Sequence, residues 1–409
     1  MQSVTQIQSN IPSPDIQTLF PRDHGVVELV ESLILHAHAH RASDIHIDPR
    51  HTNTHIRLRV DGVLRDICHI QKEYYPEFVS RIKICAKLRT DEHQAPHDGR
   101  FRIIATDLSI DVRVSIVPTY HGESVVLRLL VPQRETLSLT SLGFLEKDSE
   151  TLLSALRKTS GMILVTGPTG SGKTTTLYTL MNILNAPDVS IITLEDPIEY
   201  SLENIKQIQV NHHTALTFSS GLRSVVRQDP NIIMVGEIRD LETASLAVNS
   251  ALTGHLLLST LHTNDAATTL PRLIDMHIEP YLIASTVSVV VGQRLVRKIC
   301  SNCTEPYILT DIEKHYIETH LPATPPLKEY LHGKGCEHCL ETGFSGRISI
   351  GEVLVITPEI QDAIMKKESA AILRTHARMQ GMSTMLEDGF KKVVAGHTTV
   401  QELLRVIHE

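Results

Sequence analysis

The 409-residue chain contains no apolar run near the roughly 18 residues that a membrane-spanning helix requires, so no bilayer span is expected. Its polar start, Met1 to Asn10, lacks the basic segment and apolar stretch of a secretion signal, which favours a cytoplasmic location. A basic excess is missing as well: 39 Lys and Arg stand against 47 Asp and Glu, for a formal net charge of -8 and a pI of about 6.3. Dedicated nucleic-acid binders usually carry a basic patch, so a direct nucleic-acid partner is not expected. Six cysteines are too few to staple a chain of this length, and there is no internal repeat or low-complexity tract. What remains is an ordinary globular composition, 41% hydrophobic and 21% charged, in a chain long enough for two or three domains.

Residues 1 to 21 carry Pro12, Pro14 and Pro21 without sustained periodicity and are expected to form a mobile arm. From Val26 to His38 apolar residues recur at helical spacing, and 76 to 88 is expected to be a second helix. Alternating runs at 44–47, 54–60 and 108–117 predict strands, with Asp61-Gly62 as a hairpin turn. Residues 22–132 therefore form a small α+β domain. Beyond residue 138 the pattern changes to short, continuous apolar runs at 162–166, 191–194, 232–235 and 256–260, the signature of a parallel sheet covered on both faces. An α/β domain over 138–294, a cysteine-bearing excursion over 295–350 and a helical tail over 351–409 complete the expected layout.

The chemistry is concentrated after those buried runs. Gly167, Pro168, Thr169, Gly170, Ser171, Gly172, Lys173 and Thr174 fit G-x-x-x-x-G-K-[ST], directly after an apolar strand and opening into a helix. Glycines let successive N–H groups turn inward around phosphates, and the helix start adds partial positive charge. Lys173 is expected on the terminal phosphates of ATP and Thr174 on Mg2+, with Thr175 next to them. Glu237 ends the run Ile232 to Val235 and is the candidate for polarising water or the metal shell, while Glu195 ends the run Ile191 to Leu194 as a second acid. His262 follows the fourth run at the strand end where ligands of α/β sheets bind, which makes it a candidate phosphate sensor. Cys300-x-x-Cys303 and Cys336-x-x-Cys339 have the spacing of a closed four-thiolate zinc site, whose role is structural. Cys68 and Cys85 have no partner by spacing, and the alternating His36, His38 and His40 would scatter around a helix.

Together, the loop Gly167 to Thr176, Leu194 to Tyr200, Val235 to Asp240 and Thr260 to Asn264 resemble the Walker A, aspartate, Walker B and histidine boxes of the secretion ATPases of type II secretion and type IV pilus assembly. Ala42 to Ile47, Arg59 to Leu64, Asp98-Gly99-Arg100 and Pro118 to Leu130 match the small domain of that family. The resemblance implies a RecA-like ATPase domain preceded by a PAS-like α+β domain, a tetracysteine zinc subdomain and a helical C-terminal subdomain. It further implies a homo-hexamer at the inner membrane, attached through platform proteins of the machine, with Arg100 and Arg113 reaching the phosphates and Arg128 and Arg239 as weaker candidates of that kind. The four cysteines match assembly and secretion motors. With the small domain beginning near residue 22, the larger amino-terminal domain of many relatives is not expected ahead of it. A RecA-like nucleic-acid translocase or DNA-uptake motor, and a nucleotide-binding scaffold without turnover, are the rival readings.

Overall fold

The computed structural model describes residues 5–9, 25–105, 108–130, 137–211, 214–321 and 329–408. Contacts divide the chain into two units, Met1–Arg134 and Glu135–Glu409.

Period-two alternation builds the sheet of the first unit. Its strands are β1 (Thr5–Ser9), β2 (Ala42–Pro49), β3 (Asn53–Val60), β4 (Val63–Gln71), β5 (His97–Ala105), β6 (Leu108–Thr119) and β7 (Gly122–Leu130), in the spatial order β1-β5-β6-β7-β2-β3-β4. Inward residues such as Ile45, Ile47, Ile56, Leu58, Val112, Ile116 and Leu127 are fully buried against the helices Val26–Ala39 and Tyr75–Cys85. Val60 pairs with Val63, which leaves Asp61 and Gly62 as a two-residue turn with φ of 50° and 86°. Two positive φ values in succession are what a type I′ hairpin turn requires.

One part of this sheet departs from expectation. Thr5–Ser9, inside the segment read as a mobile arm, pairs in parallel with β5 from Thr5–Phe101 to Ser9–Ala105. The reason is the edge of β5, whose ladder groups accept a polar strand without demanding an apolar face. The rest of the arm lies outside the described residues.

In the second unit the strands are β8 (Gly161–Thr166), β9 (Ile191–Glu195), β10 (Lys206–Gln209), β11 (Ile232–Val235), β12 (Leu256–Leu261), β13 (Val287–Ile299), β14 (Thr304–Tyr307), β15 (Tyr330–Gly333) and β16 (Phe344–Val355). A seven-stranded sheet runs β10-β9-β11-β12-β8-β13-β16, parallel up to β13 and antiparallel at β16, and β14 pairs with β15 apart from it. Met162 and Leu164 of β8 enter one apolar cluster, while Ile163 and Val165 enter another on the opposite face. Both faces are thus covered, which is why these runs read as continuous rather than alternating. Four helices, Pro358–Met365, Ala370–Met379, Met385–Val394 and Val400–His408, close the chain. The cysteine-bearing excursion and this tail share one cluster, in which Leu309, Ile317 and Tyr330 meet Phe390, Val393 and Leu403. The excursion therefore draws its core from the tail.

A buried charge pair secures the first unit. Lys83, fully buried on helix Tyr75–Cys85, places Nζ 2.7 Å from Glu123 Oε1, and His93 Nδ1 lies 2.9 Å from Glu123 Oε2. Removing one partner of such a pair strands the other charge away from water. Glu123→Ala is expected to destabilise the first unit by about 3 kcal/mol, seen as faster hydrogen exchange of the Tyr75–Cys85 amides in the full chain.

Candidate functional site

The loop after β8 is shaped by what surrounds it. Gly167, Gly170 and Gly172 have φ of 147°, 81° and 89°, a region closed to most side chains. A Cβ on Gly167 would lie 2.3 Å from the Gln293 carbonyl oxygen, and one on Gly172 would lie 2.8 Å from Gln293 Nε2. Gly172 then caps the helix Lys173–Leu184. Lys173 is buried, and its Nζ donates to the carbonyl oxygens of Gly167 at 2.7 Å and Pro168 at 2.9 Å. Burial pulls its pKa down to about 8, with Glu237 opposing the shift. Ser171 Oγ is buried without a hydrogen-bond partner among the described residues, as suits a loop built to receive an acceptor-rich ligand. Pro168, Thr169, Gly170 and Thr174 are exposed, and Thr175 is half-buried.

Strands β9, β11, β12 and β8 are adjacent, so their carboxyl ends bring Glu195, Glu237, His262 and the glycine loop to one edge of the sheet. Glu237 is nearly buried and lies between Arg239 and His262, with Oε1 2.6 Å from Arg239 Nη2 and Oε2 3.1 Å from His262 Nε2. His262 is about half exposed on its side chain (47%). The segment carrying it is stitched to β8, because Thr166 Oγ1 donates to the Leu261 carbonyl at 3.0 Å and accepts from Thr263 N at 3.0 Å. His255 precedes β12, at the opposite end, and its Nδ1 sits 2.9 Å from the Ser250 carbonyl.

Glu195 occupies a different environment from Glu237. Its side chain is buried: Oε2 accepts from the Tyr178 hydroxyl, and Oε1 accepts from Thr193 Oγ1 at 2.5 Å and Gln207 Nε2 at 3.0 Å. Tyr178 belongs to the helix that follows the glycine loop, so this carboxylate ties that helix to the end of β9. Tyr178 and Gln293 are the site residues that sequence reasoning missed. Neither belongs to a motif; Tyr178 shows only as a polar-tipped residue within a helix, and Gln293 only as a polar residue in the apolar run 287–296.

In the first unit Arg100 pairs with Arg113 across β5 and β6, and Arg113 with Arg128 across β6 and β7. Asp44 is next in the row, with Oδ1 2.9 Å from Arg128 Nε. The Asp44 carboxylate offsets the charge of Arg128 at the end of this row.

The model of type II/IV secretion system proteins matches residues 21–405. The chain belongs to that family. It is 44% identical over 398 residues to the type II secretion system protein HxcR of Pseudomonas aeruginosa, covering 97% of this chain and 81% of the relative. It is 46% identical over 389 residues to the type II secretion system protein E of Dickeya dadantii, covering 95% and 76%. The type IV pilus assembly ATPase PilB of Acinetobacter baylyi is 42% identical over 388 residues, covering 94% and 66%. The fold is shared with proteins of known structure: the Legionella pneumophila ATPase DotB aligns with a TM-score of 0.69 at 21% identity, over 97% of this chain and 99% of that one. The pilus retraction motor PilT aligns with a TM-score of 0.63 at 24% identity, over 94% and 97%. The RecA-like reading of the second unit is therefore correct.

In this type II/IV secretion system protein the four cysteines converge as well. The sulfur atoms of Cys300, Cys303, Cys336 and Cys339 all lie within 4.8 Å of one another. Cys300–Cys336, Cys303–Cys339 and Cys336–Cys339 are 3.9, 3.8 and 3.7 Å apart. A disulfide would require about 2.05 Å, whereas the edge of a tetrahedron with Zn–S bonds of about 2.3 Å is about 3.8 Å. Burial pushes the Cys300 and Cys303 thiols up. Burial also raises Cys339, but N–H groups of Cys336 and Gly343, each 3.2 Å from its sulfur, outweigh this and pull it down to about 6. The donor set fits a structural zinc.

The positive φ and the crowding at Gly172 predict that Gly172→Ala destabilises the second unit by at least about 1–2 kcal/mol, measured as a lower midpoint of thermal unfolding without nucleotide.

Proposed function

We propose that the chain is an ATP-hydrolysing motor that drives assembly of pilin-like subunits in type II secretion or type IV pilus biogenesis. The observation that carries this reading is Lys173 inside the glycine loop, with Glu237 and His262 brought beside it by neighbouring strands. The loop amides and Lys173 bind the β- and γ-phosphates of ATP, and Thr174 joins the shell of Mg2+, which supplies charge neutralisation when bound. Lys173 exchanges two neutral carbonyl acceptors for phosphate oxygens, which restores the favourable environment for its charge that burial removes. Glu237 orients the attacking water and accepts its proton, and His262 and Arg239 hold that carboxylate in place. Glu195 acts by fixing the loop's helix through Tyr178 rather than by touching water. Arg100 and Arg113 stabilise charge on the transferring phosphoryl group, a task suited to the guanidinium fork.

In this proposal six copies form a ring, and the ring meets the inner membrane through platform proteins. No helix among the described residues is long and apolar enough to cross a membrane, which supports attachment through partners. The four cysteines hold zinc, which supplies a rigid cross-link in the excursion between β13 and β16.

Two measurements test these assignments. Lys173→Ala is expected to abolish steady-state ATP hydrolysis by the assembled ring, and Glu237→Gln to lower kcat by at least about 100-fold, the scale of a lost general base; unchanged turnover in either would sink the assignment. Metal analysis is expected to find about one zinc per chain, and Cys303→Ser to lose it and to open the segment 300–339 to protease.

A further inference from the structure

We propose that Gln293 is a positioning residue that presets the phosphate loop for a nucleoside di- or triphosphate; this rests on the nucleotide-binding reading above. Gln293 lies on β13, one residue beyond the Gly292–Thr166 pair that ends the β13–β8 ladder, and is 2% exposed. Its Nε2 donates to the Ser171 carbonyl oxygen at 2.9 Å, and its Oε1 accepts from Thr176 Oγ1 at 2.8 Å. Both ends of one amide are thus spent on the loop and on the first turn of the helix after it.

The consequence follows from peptide geometry. A trans peptide is planar, so the Ser171 carbonyl and the Gly172 N–H point in opposite directions. Holding the carbonyl on β13 turns that N–H away from β13, where it is available to a phosphate oxygen. Thr176 fixes the helix start against the same strand, so the loop amides and the helix end share one frame. The absence of a Cβ at Gly167 and Gly172 lets the loop sit this close, since both would collide with Gln293 atoms. A loop ordered before the ligand arrives loses less entropy when it binds, which appears as affinity.

The test compares wild type, Gln293→Glu, Gln293→Met and the milder Thr176→Val as full chains, using ADP as the probe. The readouts are the dissociation constant for ADP and the difference in melting temperature with and without ADP. A residue that only fills space would lower the melting temperature and leave the ADP-induced difference intact. Gln293→Glu keeps the acceptor for Thr176 and loses the donor to Ser171, so it is expected to weaken ADP about tenfold and shrink the ADP-induced difference; Gln293→Met is expected to do at least as much. Thr176→Val is expected to weaken ADP about threefold, and adding it to Gln293→Met to cost nothing further. For ATP, KM is expected to rise more than kcat falls. Undiminished ADP affinity in both folded Gln293 variants, or in Thr176→Val if those do not fold, would overturn the proposal while tight wild-type binding left the nucleotide reading standing. A wild-type chain that bound no ADP would overturn both.

Discussion

Everything in the ATPase unit depends on how closely the Gly167–Gly172 loop approaches β13. That approach is possible only without side chains at two positions, and it is held by one buried amide that reaches the loop and the helix after it. Since β13 is also the neighbour of β8 in the sheet, the loop is fixed at its root by the strand it leaves and at its far side by the next. A glycine loop built this way is part of the sheet edge rather than an appendage to it.

The acids at the same edge divide according to what surrounds them. Glu195 has both oxygens occupied by a tyrosine, a threonine and a glutamine, so its polar demand is met within the protein. Glu237 instead faces an arginine and a half-exposed histidine. Buried hydrogen bonds of the first kind rigidify, whereas a carboxylate whose partners reach solvent can exchange them as charge moves nearby. Two acidic strand ends of similar appearance in the sequence thus stand in different surroundings, one closed off by neutral hydrogen bonds and one beside an arginine.

The features legible in the sequence are those in which chemistry is local. The glycine loop, the four buried strands, the Asp61-Gly62 turn and the two Cys-x-x-Cys pairs each declare themselves within a dozen residues. What was not legible depends on register between distant segments. Gln293 reaches Ser171 across 122 positions, and Tyr178 meets Glu195 only once the helix has packed on the sheet. The shared cluster of Leu309, Ile317, Phe390 and Leu403 is also invisible locally, because each half shows only a few apolar residues among charges. Strand β1 escaped because its pairing is decided by the open edge of β5 and not by its own composition.

Strand β13 carries several unrelated obligations in sequence. Gln293 serves the loop, Arg294 reaches the Val406 carbonyl, Arg297 pairs with Glu402 at 2.7 Å, and the strand leads into Cys300. Because side chains alternate, insertion or deletion of a single residue here would exchange the two faces of everything downstream. The glutamine, the arginines and the cysteine could not all be kept by any compensating slip. Within this segment the chain can change its letters but not its length, so variation in length must be accommodated outside it.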